Sequence, residues 1–126
     1  MSGYTLDAGA LIALEGRDRR VAARLAEALR RGAGIAVPAG ALAQVWRDGR
    51  RQVLLARLLA DDGVEVVPLD DLAAREAGQL CGVAGTADIV DASVVRCART
   101  RGHVVLTSDP DDLRRLDATL PLRSLA

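Results

Sequence analysis

The feature that most constrains this chain is the alternation of short apolar runs with longer segments of helical periodicity. The runs suit buried strands and lie at residues 4–6, 35–37, 64–67 and 103–106, with 120–125 as a candidate edge strand. Predicted helices lie between them, at 7–15, 18–31, 38–46, 50–61, 72–81, 87–101 and 108–116. This alternation predicts an α/β three-layer sandwich in which helices flank a mainly parallel central sheet.

Length and charge limit the class of protein further. With 126 residues the chain suits one core, so we expect a single domain over 1–126. Its 17 basic and 17 acidic side chains balance, which does not suit a protein that binds nucleic acid by overall positive charge. All 17 basic residues are arginines, because the sequence contains no lysine.

No apolar run approaches the roughly 20 residues that a bilayer span needs, and the N-terminus has no basic segment ahead of an apolar one. We therefore expect a cytoplasmic protein that does not contact a membrane. Cys81 and Cys97 lack the spacing of a zinc site or a redox pair, so they are predicted to be core residues.

Acidic side chains recur where the predicted strands end. Asp7 follows the first strand directly, and Asp109 follows the 103–106 strand after two residues. Asp88 and Asp91 lie in the first turns of a helix that crosses over to that strand. Because ligands of open parallel sheets bind outside the carboxyl ends of the strands, three or four carboxylates should converge at that edge.

Such a cluster needs a counterion. Two carboxylates about 4 Å apart repel by about 4 kcal/mol at an effective dielectric constant of about 20. Ligands that are all oxygen suit Mg²⁺ or Mn²⁺, which can activate water and stabilise the transition state of phosphodiester cleavage. The alternative is that Asp7 and Asp109 serve only as helix N-caps. Asp112 is a candidate for an additional site residue.

Four segments together resemble the PIN domain of VapC-type toxins and span nearly the whole chain. They are Leu-Asp7-Ala-Gly-Ala-Leu-Ile, Val-Pro38 with Leu-Ala-Gln44-Val-Trp-Arg47, Asp88-Ile-Val-Asp91-Ala, and Val-Leu-Thr-Ser-Asp109-Pro-Asp-Asp-Leu. The resemblance implies magnesium-dependent cleavage of RNA, a homodimer, and inhibition by a VapB-like antitoxin whose tail enters the acidic site.

The resemblance also implies roles for individual residues. Asp7, Asp91 and Asp109 match the acids that hold the metal, and the eighteen-residue gap before Asp109 favours Asp91 over Asp88. Gln44 stands where the family usually has glutamate. Glutamine can orient water but adds no charge and is not a general base, so Asp88 is the candidate for the missing negative charge.

Substrate contacts are predicted for three arginines just after Gln44, namely Arg47, Arg50 and Arg51. They can hold RNA phosphates, although a solvated helix face would look the same in sequence. Trp46 is the only tryptophan and is predicted to lie in the core or a dimer interface, because one tryptophan does not make an extended stacking platform. His103 is predicted to be structural.

Rival folds fail on missing residues. Response-regulator receivers and haloacid-dehalogenase-like phosphatases also carry aspartate after the first strand, but both families imply a functional lysine, and this chain has none. Nucleotide-binding glycine motifs are absent as well. The remaining alternative is a PIN-like module that binds RNA or protein, its catalysis having been weakened by Gln44.

Overall fold

The computed structural model describes residues 3–125, so Met1, Ser2 and Ala126 of the predicted 1–126 domain lie outside the described residues. The strands are β1 (Tyr4–Leu6), β2 (Ile35–Pro38), β3 (Val64–Val67), β4 (Val104–Thr107) and β5 (Leu122–Ser124). The helices are α1 (Ala8–Glu15), α2 (Arg19–Arg30), α3 (Ala39–Val45), α4 (Val53–Ala60), α5 (Asp71–Ala84), α6 (Ile89–Arg101) and α7 (Pro110–Leu116). Every predicted element is present, with boundaries within three residues of those expected.

The five strands form one sheet in the order β3-β2-β1-β4-β5, and all four neighbouring pairs are parallel. This confirms the predicted α/β architecture with a parallel sheet. β1 lies at the centre, and its last residue, Leu6, pairs with Leu106 of β4. The segments that follow β1 and β4 therefore leave the sheet side by side, which places Asp7 next to the turn between β4 and α7.

The centre of the sheet is fully buried. Leu6, Val105 and Leu106 have no solvent exposure, and the helices over them contribute Leu11 and Val94, which are also inaccessible. Burial of each such side chain contributes about 1.5–3 kcal/mol of hydrophobic stabilisation. The carboxyl ends of β1 and β4 thus rest on closely packed side chains, which fixes the backbone from which the acidic residues project.

α4 and α6 begin later than the sequence predicts, because side-chain hydrogen bonds stabilise the preceding residues in another conformation. α4 begins at Val53 and not at Arg50, since Gln52 binds the backbone of the preceding loop. α6 is capped by Asp88 and not by Thr86, whose hydroxyl instead accepts the N–H of Asp88.

Across residues 3–125, none of the helices has both the length and the apolar character required to cross a bilayer.

Candidate active site

Asp7 is a buried carboxylate held at the start of α1. It is only 6% exposed, and its Oδ1 accepts the backbone N–H of Ala10 at 2.8 Å, so it is the N-cap of the helix. Burial raises the pKa of Asp7, while hydrogen bonds from the Thr107 hydroxyl and from the N–H groups of Ala10 and Gly9 oppose that rise. The N-cap role considered from the sequence is thus real. It leaves an anionic group at the carboxyl edge, in an environment that disfavours its charge.

Thr107, the last residue of β4, joins Asp7 to the segment that carries Asp109. Its hydroxyl hydrogen-bonds the Asp7 carboxylate and accepts the backbone N–H of Asp109 at 2.8 Å. Because Thr107 is fully buried, both contacts are fixed by the packing of the sheet. Sequence reasoning missed this residue, although a threonine at the end of a strand, two residues before an aspartate, has the spacing for such a turn.

Gly9 brings the same two segments into close approach. A Cβ atom added at Gly9 would lie 1.9 Å from the Ser108 Oγ and 2.8 Å from the Ser108 Cβ. Only glycine allows α1 to lie this close to the turn after β4. The relative position of Asp7 and the acids of that turn therefore depends on Gly9, which the sequence motif contained but which we assigned no role.

Asp91 is the focus of the acidic site. It lies in the first turn of α6, where Oδ1 of the N-cap Asp88 accepts its backbone N–H at 3.0 Å. Burial raises the pKa of Asp91 to about 7, and the charges of Asp88, Asp112 and Asp7 raise it as well. Three aspartates at the starts of α1, α6 and α7 thus act on Asp91; we call Asp7, Asp88, Asp91 and Asp112 the acidic cluster.

Asp109 follows β4 as expected and is the N-cap residue of α7. It is exposed, and a hydrogen bond with the Asp112 side chain is the first cause of its raised pKa. Asp112, in the first turn of α7, is one of the charges that raise the pKa of Asp91. Asp112, which the sequence suggested only as an additional residue, therefore interacts with both Asp109 and Asp91. A role for Asp109 in metal binding stays a prediction.

Gln44 lies on the exposed surface of α3. One turn earlier, Gly40 faces Val90 and Ser93 in the first turns of α6, since a Cβ there would lie 3.5–3.7 Å from their side chains. Residues four apart share a helix face, so Gln44 continues the surface that α3 turns toward α6. Its catalytic role stays a prediction.

The donor chemistry of the acidic cluster fits a hard divalent cation. All candidate ligands are carboxylate oxygens, and their mutual repulsion is the penalty that such an ion removes. Within residues 3–125, however, no three His, Cys, Asp or Glu side chains are close enough to form a ready set of ligands. The carboxylates are therefore arranged more openly than a closed ion-binding cage.

The three arginines predicted to bind RNA differ in their surroundings. Arg47 Nη1 donates to the carbonyl oxygens of Ala43 at 3.1 Å and Trp46 at 2.6 Å, so this side chain covers the C-terminal end of α3. Arg50 and Arg51 are exposed in the loop that follows. Trp46 is 37% exposed, so it does not belong to the core, and its place in a dimer interface stays a prediction.

Comparison with known families gives one clear match. The sequence model of the PIN domain family covers residues 4–118 of this chain. This match confirms the resemblance inferred from the four motifs. No curated protein matches the sequence.

Solved structures with the same fold cover nearly the whole chain. One is a chain of VapBC2 from Rickettsia felis, a complex bound to a DNA fragment from its promoter. Its TM-score is 0.73 at 17% identity, and 98% of each chain is covered. DNA-bound VapBC from Salmonella typhimurium gives 0.72 at 18% identity and full coverage of both chains. FitAcB from Neisseria gonorrhoeae gives 0.61 at 17% identity, covering 94% of this chain and 95% of the other. At these identities the likeness establishes the fold.

Proposed function

This chain belongs to the PIN domain family of nucleases, and from that premise we propose that it is a metal-dependent endoribonuclease, the toxin of a type II toxin–antitoxin pair. The observation that carries the proposal is the acidic cluster at the carboxyl edge of the sheet. There Asp91, Asp88, Asp112 and Asp7 lie close enough for burial and mutual repulsion to raise the pKa of Asp91 to about 7. An arrangement that costs stability in this way is typical of functional sites.

Asp7, Asp91 and Asp109 would hold Mg²⁺ or Mn²⁺, with Asp88 and Asp112 as further candidate ligands. When bound, the ion supplies an activated water and neutralises charge that develops on the phosphate. Thr107 orients the Asp7 carboxylate through its hydroxyl and keeps the turn before Asp109 close to it. Gln44 can donate or accept a hydrogen bond with water but does not remove a proton.

The partners follow from the same family. Two of the structural neighbours are VapBC complexes and a third is FitAcB, which supports a VapB-like antitoxin as the inhibitor of this chain. We extend the proposal to a homodimer of single-domain protomers that acts on RNA in the cytoplasm. Copurification with the product of a short adjacent reading frame, followed by loss of RNA cleavage in the complex, is the expected result for the antitoxin.

The test is RNA cleavage by the purified protein in Mg²⁺ or Mn²⁺, with EDTA as the metal-free control. We expect cleavage that requires the metal and that disappears in Asp91→Asn. Asp62→Asn is the matched control, because Asp62 is an exposed acid just before β3, at the other edge of the sheet. If a folded protein binds RNA or a partner but cuts nothing in either metal, the enzyme proposal fails and the binding-module alternative replaces it.

A further inference from the structure

The loop between α3 and α4 is built as a defined surface. We call residues 46–51 the arginine loop. Gln52, the residue after it, is polar yet only 5% exposed. Its Oε1 accepts the backbone N–H groups of Arg47 at 2.7 Å and Asp48 at 3.0 Å, while its Nε2 donates to the Val45 carbonyl at 2.8 Å. One buried side chain therefore ties both ends of the loop together, so the loop has a fixed shape.

The same loop presents the only tryptophan of the chain. Trp46 is more than a third exposed, although tryptophan is usually buried in a domain of this size. The backbone at Gly49 lies against its ring, since a Cβ there would be 3.0 Å from both Cζ2 and Cη2. The indole is thus supported from within the loop and retains an exposed surface.

Two arginines of this loop extend into solvent. The Arg51 side chain is 89% exposed and lies 4.0 Å from Asp48, which is too long for a strong ion pair. Arg50 is exposed, and the Asp48 Oδ1 accepts its backbone N–H at 2.9 Å. Asp48 therefore shapes the turn, while the two guanidinium groups remain accessible to a ligand.

An exposed indole beside two accessible guanidinium groups matches the chemistry of single-stranded nucleic acid. An unpaired base can stack on an aromatic ring and phosphates can bind arginine, whereas bases in a duplex are not available for such stacking. The arginine loop follows α3, a helix of seven residues and hence about 10 Å long. This helix contacts α1 and α6, the two helices whose starts carry Asp7 and Asp91.

We infer that the arginine loop binds a single-stranded segment of the RNA substrate, with a base stacked on Trp46 and phosphates on Arg50 and Arg51. This inference rests on the proposed function, because it names the residues by which the nuclease would hold its RNA. Gln52 is a positioning residue in this account, since it holds the loop without touching the RNA.

Because Trp46 is the only tryptophan, its fluorescence reports directly on this surface. The native protein is titrated in EDTA with a twelve-nucleotide oligouridylate and, separately, with a twelve-base-pair RNA duplex. We expect saturable quenching by the single strand and an affinity for the duplex at least about tenfold lower. Fluorescence that ignores both RNAs would overturn the inference. A fluorescence change that follows protein concentration, and not RNA, would also overturn it and would assign Trp46 to an interface between copies.

Variants test the arginines and the positioning residue. R50Q/R51Q should weaken binding of the single strand about tenfold and lower the slope of log K against log salt by about 1.4, or about 0.7 for each phosphate that arginine no longer neutralises. The matched control is R19Q/R20Q, which removes two exposed arginines from the first turn of α2 and should change neither value. Equal effects of the two double variants would contradict a local site.

Gln52→Ala should also weaken binding, although Arg50, Arg51 and Trp46 remain. Circular dichroism checks that the variant is folded; if it is not, the double arginine variant decides the question. Cleavage in Mg²⁺ is measured on the same proteins. If the RNA is cut but the native protein and R50Q/R51Q bind it equally, this inference is refuted and the proposed function stands. RNA that is bound through the loop but never cut would refute only the proposed function.

Discussion

The fold disfavours the charged form of Asp91. This side chain is therefore expected to serve the reaction while lowering the stability of the metal-free protein. Burial and neighbouring carboxylates raise its pKa from 3.8 to about 7. The folded chain therefore keeps a proton that the unfolded chain releases as the pH rises between those two values. Across that window the free energy of unfolding falls, and above it the full penalty remains.

Asp91→Asn should thus abolish cleavage while making the metal-free protein more stable. We expect a gain in the free energy of unfolding on the order of 1 kcal/mol at pH 8, reduced from the full pKa shift because Asp91 is partly exposed. The gain should shrink toward zero near pH 4, where the native carboxyl is protonated. Urea unfolding at both pH values in EDTA measures it. A variant as stable as the native protein at pH 8 would contradict the repulsion within the acidic cluster.

A substitution at Gln44 tests whether the absence of a carboxylate at this position limits metal binding and cleavage. Gln44→Glu adds a carboxylate on α3 and should lower the Mn²⁺ concentration for half-maximal cleavage severalfold, since each anionic ligand strengthens the attraction for the ion. Gln79→Glu, at an exposed position of α5, is the matched control for added charge. If both variants require the same Mn²⁺ concentration as the native protein, position 44 does not face the metal.

Single residues were predictable where one motif defines them and unpredictable where two segments meet. Asp7 and Asp91 could be chosen from the sequence because each follows a strand or opens a crossover helix, and the structure brings their charges together. The contact of Thr107 with Asp7 depends on the pairing of β1 with β4. The effect of the Asp112 charge on Asp91 depends on how α7 leaves the sheet. No local pattern contains either fact.

At the scale of elements, the site is set by how closely α1 approaches the turn between β4 and α7. Gly9→Ala would place a methyl group 1.9 Å from the Ser108 Oγ. We expect a loss of about 1–3 kcal/mol in the free energy of unfolding, together with weaker cleavage, as the turn moves away from Asp7. Ser108→Gly in the same chain should restore much of both, because it removes the Oγ and Cβ atoms that clash.

A second glycine provides the control for helix propensity. Gly78 lies within α5, and a Cβ there would have no neighbour within 4 Å. Gly78→Ala should therefore raise the free energy of unfolding by about 0.5–1 kcal/mol, the ordinary gain of alanine in a helix. Thermal or urea unfolding of both variants gives the comparison. If Gly9→Ala stabilises as much as Gly78→Ala, the close approach to Ser108 does not constrain the site.

The order of elements was predictable because the hydrophobic periodicity and the glycines that end helices indicate the same boundaries along the chain. Apolar runs alternate with amphipathic helices, and Gly32 and Gly85 adopt positive φ just after α2 and α5. The starts of α4 and α6 were displaced for a reason of another kind. A single side chain, Gln52 or Asp88, stabilises a turn whose backbone the surrounding composition would also allow to be helical.

At the scale of the whole molecule, charge is balanced in total but not in space. The 17 arginines offset the 17 acids, yet the acidic cluster gathers four carboxylates at one edge of the sheet, while the arginine loop presents two accessible cations beyond α3. A polyanion is repelled by the first region and attracted by the second. Binding of RNA through the loop would therefore offset the repulsion at the site, and a divalent cation would remove what remains.

This balance makes the metal a stabiliser of the entire fold. An ion that binds only the folded chain adds about 2.7 kcal/mol at one hundred times its dissociation constant, which corresponds to a rise in Tm of about 10 °C for a domain of this size. We expect Mn²⁺ to raise the Tm of the native protein and of Asp62→Asn, and to leave Asp91→Asn nearly unchanged. Without metal, Asp91→Asn should have the highest Tm of the three proteins, because it lacks the repulsion between Asp91 and the other carboxylates of the acidic cluster. Thermal unfolding at pH 8, with EDTA and with saturating Mn²⁺, tests both the order without metal and the rise with metal. Equal shifts in all three proteins would mean that the ion binds elsewhere, and the acidic cluster would then lose its assignment as the metal site.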